Sequence, residues 1–125
     1  MLDKDTKIIV SNRNLLSIQD VKKDTKIYTF YGTDVVTDTS SKKETGYKFI
    51  FSDGYKCIFG ESQELLMPNE TWKSVVDIKE NDVVMKPDST TAKIVDITKV
   101  GKITGYTLTT KNNCGYILAN GAYTR

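Results

Sequence analysis

The 125-residue sequence predicts an all-β fold formed by a single domain. Three observations predict it. Val, Ile, Thr, Tyr and Phe recur in short alternating runs bounded by turn residues. No stretch sustains a helical period beyond one turn. The chain also writes one phrase twice: SIQDVKKDTKIY at 17–28 and SVVDIKENDVVM at 74–85.

Along the chain, Lys7–Val10 reads as a strand ending in the turn SNRN, and Lys26–Phe30 as a second strand broken at Gly32. SIQDVKK and SVVDIKE each suit one helical turn, with Ser17 and Ser74 as N-caps. The polar segment Val36–Glu44 reads as a loop, as does Lys86–Thr91, where Pro87 interrupts the pattern. Tyr47–Phe51 and Tyr55–Phe59 flank Asp53-Gly54, a pair suited to a type I′ hairpin turn. Tyr47, Phe49 and Phe51 share a face, and Tyr55, Cys57 and Phe59 alternate likewise. A face so continuously apolar belongs in a core, and Cys57 with it. Trp72 reads as a packing residue and Asn120-Gly121 as the turn of the last hairpin.

The repeated phrase aligns without a gap at an offset of 57 residues, Ser17 on Ser74, Asp20 on Asp77 and Lys22 on Lys79. Downstream, TGYKFIFSDGYKCIFGE from Thr45 resembles TGYTLTTKNNCGYILAN from Thr104, at an offset of 59. Asp53-Gly54 then falls on Asn112-Asn113, a pair equally tolerant of the left-handed region. Half-repeats of about 7–60 and 64–121 are expected, related by a pseudo-two-fold axis within the single domain 1–125.

Composition restricts the chemistry. There is no histidine, so any Ser-His or Cys-His nucleophile pair is excluded. Two cysteines without a C-x-x-C pair do not suggest zinc, and no metal or cofactor is expected. A net charge of +2 with scattered basic residues does not favour nucleic acid. No apolar run approaches the ~18 residues of a membrane span, and the first residues lack a signal-peptide core. A monomeric cytoplasmic protein is the expectation.

The motifs in this order resemble those of the Hint family, the inteins and hedgehog autoprocessing domains. MLDKDTKIIVSNRNLLSIQDVKKDTKIY is similar to the intein N-terminal block with its "I-x-D-(I/L/V)-K-x-G-D-x-(V/I)-Y" phrase, and SVVDIKENDVVM to its second occurrence. GYTLTTKNNCGYILANGAYTR resembles the C-terminal blocks through Tyr106, Leu108, Tyr116, Ala119, Asn120, Gly121 and Thr124. The resemblance spans the whole chain, at the length of a mini-intein without a homing endonuclease. It implies a horseshoe-shaped Hint fold with two related halves and long β-hairpins. It also implies self-processing of a flanking host polypeptide in cis: an acyl shift at a first-residue Cys or Ser, then cyclisation of a terminal Asn.

The chain departs from that pattern at the working positions. Met1 stands at the nucleophile position, and a thioether cannot make the acyl shift. Gly60 falls on the motif Thr and Gln63 on the motif His; an amide donates a hydrogen bond but shuttles no proton near pH 7. Thr107 replaces an Asp after Tyr106. Cys114, or Gly115 one residue on, replaces a later His. Arg125 takes the penultimate His position, and no Asn follows. A start codon in place of Cys and a trimmed end account for Met1 and the missing Asn, but not for Gly60, Gln63, Thr107 and Arg125. The expectation is therefore a degenerate or disarmed splicing domain. The alternative is a non-catalytic structural or interaction module inside a larger, phage-like protein. A small nucleic-acid-binding barrel is the weaker third reading.

Overall fold

A computed structural model describes all 125 residues. The strands are β1 (Leu2–Asp3), β2 (Lys7–Ile9), β3 (Leu15–Ser17), β4 (Lys26–Thr29), β5 (Gly32–Phe51) and β6 (Lys56–Gly60). They continue as β7 (Glu64–Leu66), β8 (Trp72–Ser74), β9 (Val83–Met85), β10 (Thr91–Thr110), β11 (Tyr116–Ile117) and β12 (Tyr123–Thr124). The only helices are two 3₁₀ turns, Ser11–Arg13 and Ile18–Asp20.

Two 20-residue strands, β5 and β10, run antiparallel along each other from Phe51–Ile94 to Val36–Thr110. β5 also pairs with β6, β6 with β1, and β1 with β10, which closes a ring of strands. Beside it lie a four-stranded sheet, in the order β11-β12-β7-β8, and the β2–β3 pair. Closure removes edges that would otherwise invite pairing with other chains. The core between the layers holds Leu2, Ile8, Ile27, Phe49, Phe51, Phe59, Leu65, Ile94 and Leu118, each at most 1% exposed. Phe59 packs edge-to-face on Phe49, ring centroids 5.1 Å apart. The alternating face expected for 47–59 is therefore in the core, with Cys57 beside it.

Several local expectations are corrected. Val36–Glu44 is not a loop but the middle of β5, paired with β10 at every residue except Thr37, where the register shifts by one. Its exposed Ser and Lys side chains hid a ribbon whose hydrogen bonds are supplied by a partner far along the chain. The 51–55 turn is not type I′. Asp53 keeps a negative φ and only Gly54 is left-handed, at φ 89°. The bonds Gly54 N–H to Phe51 O and Phe51 N–H to Tyr55 O define a type I turn with a glycine bulge, the three-residue hairpin. Neither serine caps a helix. Ser17 precedes a 3₁₀ turn without a side-chain cap bond, and Val75–Asp77 forms only a turn.

The same main-chain hydrogen bonds recur 57 residues apart. Thr6 N–H to Asp3 O is matched by Gln63 N–H to Gly60 O, and Ile18 N–H to Thr6 O by Val75 N–H to Gln63 O. Val21 N–H to Ile18 O is matched by Ile78 N–H to Val75 O. Asp24 and Asn81, also 57 apart, share a left-handed φ of 73° and 74°.

Candidate functional site

The two ends of the chain meet the same short turn, Gly60–Glu64. At one side, β1 runs between β6 and β10, pairing Leu2 with both Phe59 and Tyr106. This sets Met1 at the start of the turn, where its carbonyl accepts the Gly60 N–H at 2.6 Å. At the other side, Arg125 and Glu64 exchange main-chain bonds, Glu64 N–H to Arg125 O at 2.9 Å and Arg125 N–H to Glu64 O at 3.1 Å. Between them, the Gln63 N–H closes the turn on Gly60 O at 3.0 Å. Met1, Gly60, Gln63 and Arg125, distant in sequence, are thus brought to one place.

A buried carboxylate dominates the Met1 side. Glu44, 4% exposed, lies 3.3 Å from the Met1 ammonium. Ser62 Oγ donates to both Glu44 oxygens, at 2.9 and 3.0 Å, and accepts from the Met1 ammonium at 3.3 Å. Burial lowers the Met1 ammonium from its ordinary value, while Glu44 pulls the other way. Space here exists because two residues lack side chains. A Cβ on Gly60 would fall on the Glu44 carboxyl group, and one on Gly105 would meet Met1 Cβ. Glu44 fills the volume that a side chain at position 60 would take.

The Arg125 side is built from amides and hydroxyls. Gln63, 1% exposed, donates from Nε2 to Thr124 Oγ1 at 2.6 Å, and Thr124 Oγ1 donates to Glu64 O at 2.7 Å. The Tyr116 hydroxyl is buried without a hydrogen-bond partner; burial raises it, and the Gln63 and Thr107 side chains nearby pull it back only partly. Arg125 does not reach into this cluster. Its guanidinium lies 4.6 Å over the Trp72 ring and bonds Glu64 Oε1 at 3.0 Å. Cys114 turns to the Asn112 carbonyl at 3.4 Å, whereas Gly115 lies so close to the chain end that a Cβ there would meet the Thr124 carbonyl and Arg125 Cβ. Of the two candidates for that position, Gly115 is the one in contact with the chain end.

Cys57 is not part of this chemistry. It is 5% exposed, its sulfur is 3.8 Å from Thr6 Oγ1, and burial pushes its thiol up to about 12. The sequence alone singles out neither Glu44, which falls in the expected loop 36–44, nor Ser62, which stands between two motif positions. Gly60 was the available signal, since a glycine in a motif position leaves room for another group.

This architecture is the Hint fold of mini-inteins. Its solved counterparts include the gp41-1 intein, with a TM-score of 0.86 over 98% of this chain and 95% of that one at 15% identity. A DnaB intein from Synechocystis sp. PCC 6803 superposes with a TM-score of 0.86 over 98% and 95% of the two chains at 17% identity. The MchDnaB-1 intein gives 0.83 over 99% and 98% at 13% identity. No protein-family model matches the chain, and no curated protein matches its sequence.

Proposed function

We propose that residues 1–125 form an intein-type autoprocessing domain, degenerate at its working positions, that acts in cis on polypeptide joined to its ends. One observation carries the reading: in a Hint fold, both chain ends are hydrogen-bonded to the single turn Gly60–Glu64. Holding two distant peptide bonds on one rigid turn is what intramolecular acyl transfer requires. The recurring hydrogen bonds support half-repeats at about 7–60 and 64–121, descended from one duplicated unit.

The family positions Met1, Gly60, Gln63, Thr107, Cys114 and Arg125 do not carry the ordinary splicing steps. Met1 offers no nucleophile, and Gln63 and Thr107 offer no titrating group near neutral pH. Arg125, tied to Glu64 and Trp72, is turned away from the junction. That tether favours the second reading, a non-catalytic module built on the same frame.

Met1→Cys in a chain extended upstream by a short peptide separates the two. On the autoprocessing reading, added thiol releases the peptide slowly, about 10²–10⁴-fold below a site with its general base intact. A peptide that stays attached through days with thiol, on a folded chain, overturns the reading in favour of the module.

A further inference from the structure

Three features at the upstream end converge on one atom. The Met1 nitrogen, Ser62 Oγ and Glu44 Oε1 form a triangle with sides of 3.3, 2.9 and 3.3 Å. Ser62 gives its proton to a carboxylate that is itself 4% exposed and bonded through both oxygens. Gly60 and Gly105 leave the room in which that carboxylate sits. A serine hydroxyl donating to a buried carboxylate, next to a main-chain nitrogen, is an arrangement of nucleophile, base and leaving group.

We propose that Ser62, with Glu44 as its base, accepts the acyl group of the residue joined to the Met1 nitrogen. This exchanges the upstream peptide bond for an ester on an internal side chain. The inference rests on the autoprocessing reading and supplies the nucleophile that Met1 lacks. An upstream residue would place its carbonyl carbon one bond from a nitrogen already 3.3 Å from Ser62 Oγ. That bond allows the acyl carbon to lie anywhere from about 2 to 4.6 Å from the hydroxyl, a span that contains the roughly 3–3.5 Å of a near-attack geometry.

The step balances. Ser62 Oγ forms a C–O bond to the carbonyl carbon, and its proton passes to Glu44. The tetrahedral intermediate collapses by breaking the C–N bond, and Glu44 returns the proton to the departing Met1 nitrogen. The Met1 ammonium stands in here for the peptide nitrogen of an extended chain, and Glu44 Oε1 faces it and the hydroxyl alike. The products are an ester of Ser62 and a Met1 amine, which takes up a proton from solvent to give the Glu44-paired ammonium. Ser62 is exposed, so water can then hydrolyse the ester and the upstream polypeptide can leave. Glu44 also substitutes spatially for the group absent at Gly60, a carboxylate reaching in from β5 where the motif would place a threonine on β6.

The experiment uses the full chain with a short peptide joined to Met1, treated with neutral hydroxylamine and read by mass spectrometry. Release of the peptide as its hydroxamate is expected. Ser62→Ala should abolish it, Glu44→Gln should slow it about 10²-fold or more, and Ser62→Cys should make release responsive to thiol. Met1→Cys in the Ser62→Ala background serves as the control for folding and for the site. Thiol-dependent release there, with no hydroxylamine release from the Met1 chain, overturns the inference and leaves the autoprocessing reading standing. Equal release with and without the Ser62 hydroxyl also overturns it. If neither reagent frees the peptide, both fall.

Discussion

Placing a threonine at Gly60 should damage this protein. Gly60 is buried on β6, and a new Cβ there would lie 2.6 Å from Glu44 Cδ and 2.9 Å from Cγ, with Oε1 closer still. The backbone tolerates a side chain, since φ is not left-handed, so the cost is steric and electrostatic. Glu44 must vacate. Overpacking costs about 1–3 kcal/mol, and losing the charge-assisted bonds to Ser62 and Met1 costs about 1.5–3 kcal/mol. Gly60→Thr is therefore expected to destabilise by about 3 kcal/mol, or lower Tm by roughly 10 °C. Glu44→Ala alone should cost about 2 kcal/mol. The double variant should cost little more than Glu44→Ala, because threonine then enters vacated space and nothing remains to be displaced. Urea denaturation of all four proteins measures the coupling, expected at about 1–3 kcal/mol. Costs that add to within about 0.5 kcal/mol would refute the claim that these two residues share one volume.

Two further outcomes are expected from titrating groups. Cys57 stays neutral in the folded state up to about 12, while an unfolded thiol ionises near 9. Stability should therefore be lost as pH rises from about 9 toward 12, and Cys57→Ala should remove that part of the alkaline slope in thermal melts. Asp34 is 4% exposed; burial opposes its charge, but the Val35 N–H, Thr110 and both Asn112 amides outweigh it and hold the carboxyl below its ordinary 3.8. Its contribution should be complete above about pH 4 and vanish as pH falls through the lower folded value. Asp34→Asn should flatten that acid limb in denaturation measured between pH 2 and 5.

How much could be read beforehand depended on how local the cause was. The alternating run of Phe49, Phe51, Cys57 and Phe59 announced its own burial, since alternation and side-chain direction are the same fact in a strand. The turn around Gly54 was visible as a turn but not as a type, because the Phe51 and Tyr55 backbones, not Asp53-Gly54 alone, choose between closures. Val36–Glu44 was illegible for a different reason. Its strand conformation is imposed by β10, whose residues lie far along the chain and share no local signature with it. Losing that strand lost Glu44 as well, and with it the occupant of the space beside Gly60. In the site, motif order singled out Met1, Gly60, Gln63 and Arg125, which the fold gathers at one turn. The group that fills one of them came from another strand and only the fold could reveal it.

The long β5–β10 ribbon also sets a clock. It joins Val36 to Thr110 and Phe51 to Ile94, so much of the molecule must be tethered before those pairings return any energy. Topologies of this kind fold on the millisecond-to-second scale. The turn that receives both ends is complete only when Tyr116–Arg125 has been added to the sheet. During synthesis, an upstream neighbour would leave the ribosome long before its partner strands exist. On the autoprocessing reading proposed above, the order of translation would thus act as a safety catch, keeping the upstream junction silent until β10 has paired with β1 and β5.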